Sequence, residues 1–107
     1  PAARPAAGPA LRRPAANARL TSPPLLAWRA VPKATYYNVQ LFRNGRKILT
    51  AWPTTTSFKL EQSWRFDGRM QRLAPGRYRW YIWPGFGKRS ANRYGKLLGS
   101  RVFVVTP

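Results

Sequence analysis

Residues 36–43 alternate between two sets of side chains, and this alternation sets the strongest limit on the fold. Successive side chains of a β-strand point to opposite faces, so a period of two predicts an extended strand with one buried face. Asn44-Gly45 follows directly and is a preferred pair for a two-residue type I′ turn. We therefore predict a β-hairpin in which residues 46–51 form the return strand. The two faces of the first strand carry Tyr37, Val39 and Leu41 on one side and Tyr36, Asn38, Gln40 and Phe42 on the other.

Short runs of aromatic and β-branched residues continue along the chain from residue 20, separated by turn residues. A spacing of about eight to twelve positions between such runs is typical of an all-β sandwich or barrel. Residues 61–73 have weak periodicity, and we predict a long crossover there with one helical turn around Trp64 and Phe66. The remaining predicted strands are 25–28, 57–60, 77–83 and 101–105, with 17–20 as the first of seven strands.

The N-terminal segment differs from the rest because it is almost entirely Pro, Ala, Arg and Gly. Proline at this density disfavours helix and favours the extended polyproline II conformation. We predict an extended arm over residues 1–19 and one domain over residues 20–107. Such an arm is either a free tether or is ordered along a neighbouring subunit, and we expect the second. Its candidate contact residues are Pro5, Pro9, Arg12, Arg13 and Pro14.

The residue types on which most enzymes rely are scarce in this chain. It has no Cys and no His, which excludes thiolate chemistry, disulfide bonds, imidazole catalysis and the usual zinc sites. The two acidic residues, Glu61 and Asp67, lie beside Arg65 and Arg69, which favours surface ion pairs over a pair of catalytic carboxylates. We predict no catalytic residue, no metal, no cofactor and no small-molecule substrate.

Charge is the clearest indication of a partner. The chain has 20 Lys and Arg against 2 Asp and Glu, which gives a formal net charge of +18 at pH 7. Such a charge attracts polyanions over long range and makes their binding sensitive to salt. Two explanations stay open, because a compositional bias of the genome would produce the same excess of Arg, Ala and Pro as specific anion recognition.

The sequence also bears on location. It contains no run of 18 apolar residues, so we predict no membrane span. The chain starts at Pro1 without Met and continues with Ala2 and Ala3, as a mature protein does after a signal peptide is removed. We expect a secreted protein that works outside the cell or at the cell surface.

Several short motifs between residues 20 and 105 follow one another in a particular order, namely 24–28 with Trp28, 31–39, 56–60, 73–80 and the last strand with Phe103. This order resembles that of a fibronectin type III domain of bacterial surface and secreted proteins. The resemblance implies a seven-stranded immunoglobulin-like sandwich that contacts proteins or glycans, with Trp28 as a core tryptophan, 56–60 before the crossover and a tyrosine corner in 73–80. The last loop, residues 84–100, has no Arg-Gly-Asp tripeptide, so integrin-type adhesion is not implied.

If the third, sixth and seventh strands share one sheet, as the resemblance implies, the alternation assigns each residue to a face. The outward face is too apolar to stay uncovered, since monomers rarely expose a large contiguous apolar patch. The inward set is Tyr37, Val39, Leu41, Tyr78, Trp80, Ile82, Phe103 and Val105. The outward set is Tyr36, Phe42, Arg79, Tyr81, Trp83, Val102 and Val104.

Three interpretations of the outward face stay open. An error of one residue in a strand would turn it into ordinary core. Self-assembly would place the arm of one subunit on the aromatic face or a sheet edge of the next and build a filament. Polyanion binding would use Tyr36, Tyr81 and Trp83 as stacking platforms. The cations on the backbone phosphates would be Arg77, Arg79, Lys88, Arg89, Arg93 and Lys96. Our first prediction is a structural module that self-associates or binds another protein, and the alternative partner is a nucleic acid or an acidic cell-surface glycan.

The loop at residues 84–95 is a second candidate site, because it is long, basic and aromatic at one end of the sandwich. The alternative is a flexible hairpin in solvent. With this loop, the predicted binding surface comprises Tyr36, Phe42, Arg79, Tyr81, Trp83, Lys88, Arg89, Arg93, Tyr94 and Lys96.

Overall fold

The computed structural model describes residues 10–107, and most of them lie in β-strands, which confirms the predicted all-β class. The helical structure in residues 10–107 is one 3-10 turn, Arg89–Ala91. The described residues contain no helix long and apolar enough to cross a membrane. The described residues form ten strands: β1 (Leu11–Arg13), β2 (Ala18–Leu20), β3 (Leu25–Trp28), β4 (Tyr36–Arg43), β5 (Arg46–Ala51), β6 (Ser57–Lys59), β7 (Ser63–Phe66), β8 (Arg69–Arg72), β9 (Gly76–Gly85) and β10 (Gly99–Val105).

The strands form two sheets and a separate hairpin. β1, β3 and β6 make a three-stranded sheet in that order, and β2, β10, β9, β4 and β5 make a five-stranded sheet. The pairs are antiparallel except for β2 with β10, which run parallel. One apolar cluster draws its side chains from both sheets, so the arrangement is sandwich-like.

The inward set predicted for β4, β9 and β10 is buried throughout, and the predicted alternation is therefore confirmed. Trp28 of the three-stranded sheet joins these residues in the core. Its ring centroid lies 5.5 Å from that of Tyr37 and 6.1 Å from that of Trp80, both of which belong to the five-stranded sheet. Aromatic contacts of this kind connect the two sheets across the core. A strand error of one residue is excluded for these three strands.

The predicted arm is not confirmed where the structure describes it, because residues 11–13 and 18–20 pair with strands of the same chain. β1 pairs antiparallel with β3, and Leu11 is buried in the core. β2 pairs parallel with β10, and the carbonyl oxygen of Leu20 accepts a hydrogen bond from Thr106 N at 2.7 Å. The sandwich therefore includes residues before position 20, and the count rises above seven strands.

β2 corresponds to the strand predicted at residues 17–20, whereas composition concealed β1 for a physical reason. The hydrogen bonds between strands are made by main-chain groups. Ala and Arg can therefore pair with an existing neighbouring strand as well as Val can. Pro14 follows β1, and a proline has no N–H to continue the ladder. Pro5 and Pro9, the other predicted contact residues of the arm, lie outside the described residues.

The predicted crossover with a helical turn around Trp64 and Phe66 is wrong, because this segment forms the β7–β8 hairpin. Asp67 and Gly68 make its turn, both with positive φ (54° and 77°). Asn44 and Gly45 have the same combination (53° and 75°), so both hairpins use the two positive φ angles that a type I′ turn requires. The indole N–H of Trp64 donates a 2.7 Å hydrogen bond to the carbonyl oxygen of Ile48 and fixes the hairpin to β5.

Candidate ligand-binding face

The five-stranded sheet has an outer face, opposite the core, on which every second residue of each strand lies. Residues that pair across neighbouring strands form rows on this face. Two neighbouring rows contain neutral polar and aromatic side chains, and we call them the amide rows. The next two contain four cations, and we call them the cationic rows. The amide rows are Trp83 with Asn38, and Ser100, Tyr81, Gln40 and Thr50. The cationic rows are Val102, Arg79, Phe42 and Lys47, and then Arg19, Val104 and Arg77.

Three aromatic side chains form a strip that joins the two parts of this face. Phe42 meets Tyr81 edge to face with centroids 5.2 Å apart, and Tyr81 stacks on Trp83 at 5.9 Å with the ring planes 20° apart. All three rings are half-buried, so each still offers surface to a ligand. The aromatic strip therefore runs without a break from the cationic rows to the amide rows.

A depression of about 500 Å³ lies over the amide rows where the aromatic strip ends. Its volume falls within the range of small-ligand sites in proteins. We call it the Trp83 depression. Its lining residues are Asn38, Gln40, Lys47, Thr50, Trp52, Trp83 and Tyr94.

The floor of the Trp83 depression is held rigid by a network of side-chain hydrogen bonds. Asn38 is buried, and its Nδ2 donates to Thr50 Oγ1 at 2.9 Å and to the carbonyl oxygen of Ala51 at 3.1 Å. Gln40 Nε2 donates to Asn38 Oδ1 at 2.7 Å. Because Asn38 uses its amide inside the network, the groups that face a ligand are the Gln40 amide and the Thr50 hydroxyl.

One wall of the depression is built by Trp52, whose position is fixed from two sides. Its indole N–H donates a 3.1 Å hydrogen bond to the hydroxyl oxygen of Tyr94. The guanidinium carbon of Arg89 lies 3.9 Å from the centre of a Trp52 ring, which is close for a cation–π contact. This wall therefore joins the end of β5 to the loop after β9.

That loop folds back along the end of β9. Phe86 N donates to Arg93 O at 2.9 Å, Gly95 N to Pro84 O at 3.0 Å, and Leu98 N to Ile82 O at 2.8 Å. The return path carries Tyr94 over Tyr36, where the two rings meet edge to face at 5.7 Å. The loop predicted as a second site thus contributes to the same site as the sheet.

A second depression, of about 400 Å³, lies over the cationic rows. Arg77 and Arg79 line it together with Phe42 and Tyr81 of the aromatic strip. Arg79 donates a 3.1 Å hydrogen bond from Nη1 to the Ser100 hydroxyl oxygen, which leaves its other N–H groups for a ligand. We call it the arginine depression.

No family model, curated protein or solved structure matches this chain. Its function therefore has to be inferred from the chemistry of the outer face.

The structure brings most of the predicted surface together and separates the rest. Phe42, Arg79, Tyr81 and Trp83 share the outer face, and Tyr94 and Arg89 reach it from the loop. The exposed residues Lys88, Arg93 and Lys96 lie on the loop beyond the amide rows. Arg12, Arg13 and Pro14 belong to β1 and its end, on the other sheet, and so lie apart from this face.

Two residues that were predicted to be available on the outer face are buried. Tyr36 is 3% exposed because Tyr94 packs against it and the Gly85 backbone passes close to its ring. Burial raises the pKa of the Tyr36 hydroxyl above its ordinary value. Val102 is 6% exposed. Tyr36 therefore supports the site from beneath and is not a stacking platform.

Five lining residues were not predicted as part of the surface. The sequence could have predicted Asn38 and Gln40, because the alternation of residues 36–43 places both on the outward side. Lys47 and Thr50 depend on the register of the hairpin, and that register shifts between Leu41 and Phe42. Trp52 follows β5 directly, and nothing in the local sequence connects it to Tyr94.

Proposed function

We propose that this chain is a non-catalytic binding module that holds an extended anionic polymer across the outer face of its five-stranded sheet. The observation that carries the proposal is the aromatic strip, which starts among Arg77, Arg79 and Lys47 and ends in the Trp83 depression. Half-buried aromatic rings beside a cationic groove combine a surface on which the rings of a polymer can pack with charges that hold its repeated anionic groups.

Charge complementarity supports a polyanion rather than a neutral partner. The net charge is +18, and the two acidic residues lie outside the strands of the five-stranded sheet. Exposed charges act over about 8 to 10 Å at physiological salt, so neighbouring cations of the face reinforce one another. A polymer would be attracted over long range and then held by short contacts along the strip.

The length of the face suits several units of a polymer. An eight-residue strand such as β4 spans about 24 Å, because each residue of an antiparallel strand rises about 3.4 Å. The cationic rows lie near one end of this span, and the loop with Lys88, Arg89 and Arg93 lies beyond the other. Both ends of a bound polymer would therefore meet positive charge.

We retain the fibronectin type III resemblance as part of the proposal. The strand orders β1-β3-β6 and β10-β9-β4-β5 support it, and so does the bond from the Tyr78 hydroxyl to the Ala74 carbonyl oxygen at 2.6 Å. The additional strand β2 and the β7–β8 hairpin are departures from the seven-stranded form. Secretion and work outside the cell stay predictions of the sequence.

Self-association through the arm has less support. Residues 11–13 and 18–20 already pair within the chain and cover one edge of each sheet. Subunits of this charge also repel one another. We therefore place the anionic polymer first.

The test is the binding of the chain to heparin and to oligothymidylate, followed by intrinsic Trp fluorescence over a salt series. We expect the affinity for both to fall by at least tenfold between about 50 and 200 mM salt, because phosphate or sulfate contacts release counterions. A neutral dextran should not bind. Absence of binding to every polyanion at low salt would exclude the proposed function.

A further inference from the structure

We infer that the anionic polymer is a glycan, and that the Trp83 depression is a subsite for one uncharged pyranose ring of it. This inference rests on the proposed function and narrows it to one class of ligand. The partner it describes is an acidic polysaccharide in which charged and uncharged sugars alternate. The reasons are the distribution of charge over the rows, the free hydrogen-bonding groups and the aromatic walls.

The first reason is that charge is absent from the amide rows within the described residues. Their members are Asn38, Gln40, Thr50, Ser100 and two aromatic residues, and all of them are neutral. The cations begin one row further along, at Arg79 and Lys47, and Lys47 also lines the Trp83 depression. Rows on the same face are two residues apart, which is about 7 Å along an antiparallel strand. An uncharged ring over the amide rows would thus have its charged neighbour over the cationic rows.

The second reason is the mixture of donors and acceptors on the floor. Gln40 donates one N–H to Asn38 and keeps its second N–H and its carbonyl oxygen. Thr50 accepts from Asn38, so its hydroxyl is free to donate. Neighbouring hydroxyl groups of a sugar donate and accept at the same time, which matches this pair. Because Asn38 is buried and holds both side chains, little conformational entropy is lost on binding.

The third reason is the arrangement of the rings. Tyr81 stacks on Trp83 but does not line the depression, whereas Trp83 does. Trp52 and Tyr94 stand in the same depression and are joined by a hydrogen bond. The C–H groups on one face of a pyranose ring are apolar and pack on such aromatic surfaces, while the hydroxyl groups at its rim reach the amide floor.

A nucleic acid fits this distribution less well. It carries a phosphate at every nucleotide, so a strand that followed the sheet would place phosphates over the amide rows as well as over the cationic rows. Among the described residues, Lys47 is the one cation that lines the Trp83 depression, so phosphates repeated along the amide rows would outnumber it, and desolvating an unpaired charge is costly. A glycan with an uncharged sugar at that position avoids this cost.

Three probes of similar total charge distinguish the possibilities. Hyaluronan oligosaccharides alternate a charged with an uncharged sugar, polygalacturonate is charged at every sugar, and oligothymidylate is charged at every nucleotide. We expect the full chain to bind hyaluronan oligosaccharides most tightly. At about 1 M salt, where the screening length is about 3 Å, the hyaluronan complex should persist while the oligothymidylate complex is lost.

The variant Gln40→Ala tests the subsite directly. It should weaken hyaluronan binding about tenfold, and it should change the affinity for the other two probes less than about twofold. Gln62→Ala, outside the five-stranded sheet, is the matched control and should change none of the three. Thermal melts of both variants establish that the fold is intact. The salt experiment on the unchanged chain gives an independent test if Gln40→Ala does not fold.

The results distinguish failure of the sugar subsite from failure of the proposed polyanion-binding function. Equal affinity for all three probes, with no effect of Gln40→Ala, would overturn the sugar subsite and leave the proposed function in place. Tightest binding of oligothymidylate would do the same and identify a nucleic acid. Binding of none of the probes at low salt would overturn both.

Discussion

The hydroxyl of Tyr78 donates a 2.6 Å hydrogen bond to the carbonyl oxygen of Ala74, four residues earlier in the chain. The ring of Tyr78 stacks on that of Phe103 in the core, with centroids 5.4 Å apart. The guanidinium carbon of Arg43 lies over the Tyr78 ring, 5.4 Å from its centroid. Arg43 also donates to the carbonyl oxygen of Pro75 at 2.8 Å. The turn that leads into β9 is therefore tied to the five-stranded sheet by two side chains.

Replacing Tyr78 by Phe should destabilise the fold by about 1 to 2 kcal/mol, because the Ala74 carbonyl oxygen loses its partner in a partly buried place. Tyr36→Phe is the matched control. The Tyr36 hydroxyl is buried without a hydrogen-bond partner among the described residues, so its removal should leave stability unchanged or raise it. Urea unfolding of both variants measures the difference. Equal effects of the two changes would contradict a stabilising role of the bond from Tyr78 to Ala74.

The free energy of unfolding should fall as the pH rises above about 10, which is the ordinary pKa of a tyrosine hydroxyl. Burial raises the pKa of Tyr78, against the opposing effect of Arg43, and burial also raises the pKa of Tyr36. Above the ordinary value the unfolded chain releases protons that the folded chain still holds, so the free energy of unfolding decreases with pH. Melting temperatures over an alkaline series test this. Tyr78→Phe should show a shallower decline, and an identical decline would refute a contribution from Tyr78.

Gly85→Ala should destabilise the fold and loosen the loop after β9. A Cβ at this position would clash with ring atoms of Tyr36, against which Tyr94 packs. Overpacking of this kind costs about 1 to 3 kcal/mol. Thermal unfolding measures the cost, and hydrogen exchange of Phe86 and Gly95 amides follows the loop. Gly99→Ala is a milder comparison, because the close atom there is the end of the flexible Leu11 side chain.

Arg79→Ala and Lys47→Ala should each reduce the dependence of polyanion binding on salt. If each cation contacts one phosphate, sulfate or carboxylate, the slope of log affinity against log salt should decrease by about 1 per variant. Arg12→Ala and Lys59→Ala remove the same charges from the three-stranded sheet. These controls should leave the slope nearly unchanged. Equal losses in all four variants would indicate that net charge, and not the outer face, binds the polymer.

Local chemistry was enough to predict β3, β4 and β5 with their observed bounds, since side-chain alternation and an Asn-Gly turn act over a few residues. The β7–β8 hairpin was predictable in the same way, because Asp67-Gly68 is a turn signal of the same kind. The aromatic strip also follows from alternation, which places Phe42, Tyr81 and Trp83 outward. The strands, turns and faces depend on neighbours in sequence, whereas the contact of Phe42 with Tyr81 also needs the pairing of β4 with β9.

The floor and the wall of the Trp83 depression depend on contacts between distant parts of the chain. An uninterrupted two-residue hairpin would pair Gln40 with Leu49, whereas the register shift after Leu41 pairs it with Thr50. The contact of Trp52 with Tyr94 spans 42 residues, and no pattern in the sequence pairs them. Alternation could place residues on a face of each strand, but only the packing of the strands and the return of the loop decided which of them meet.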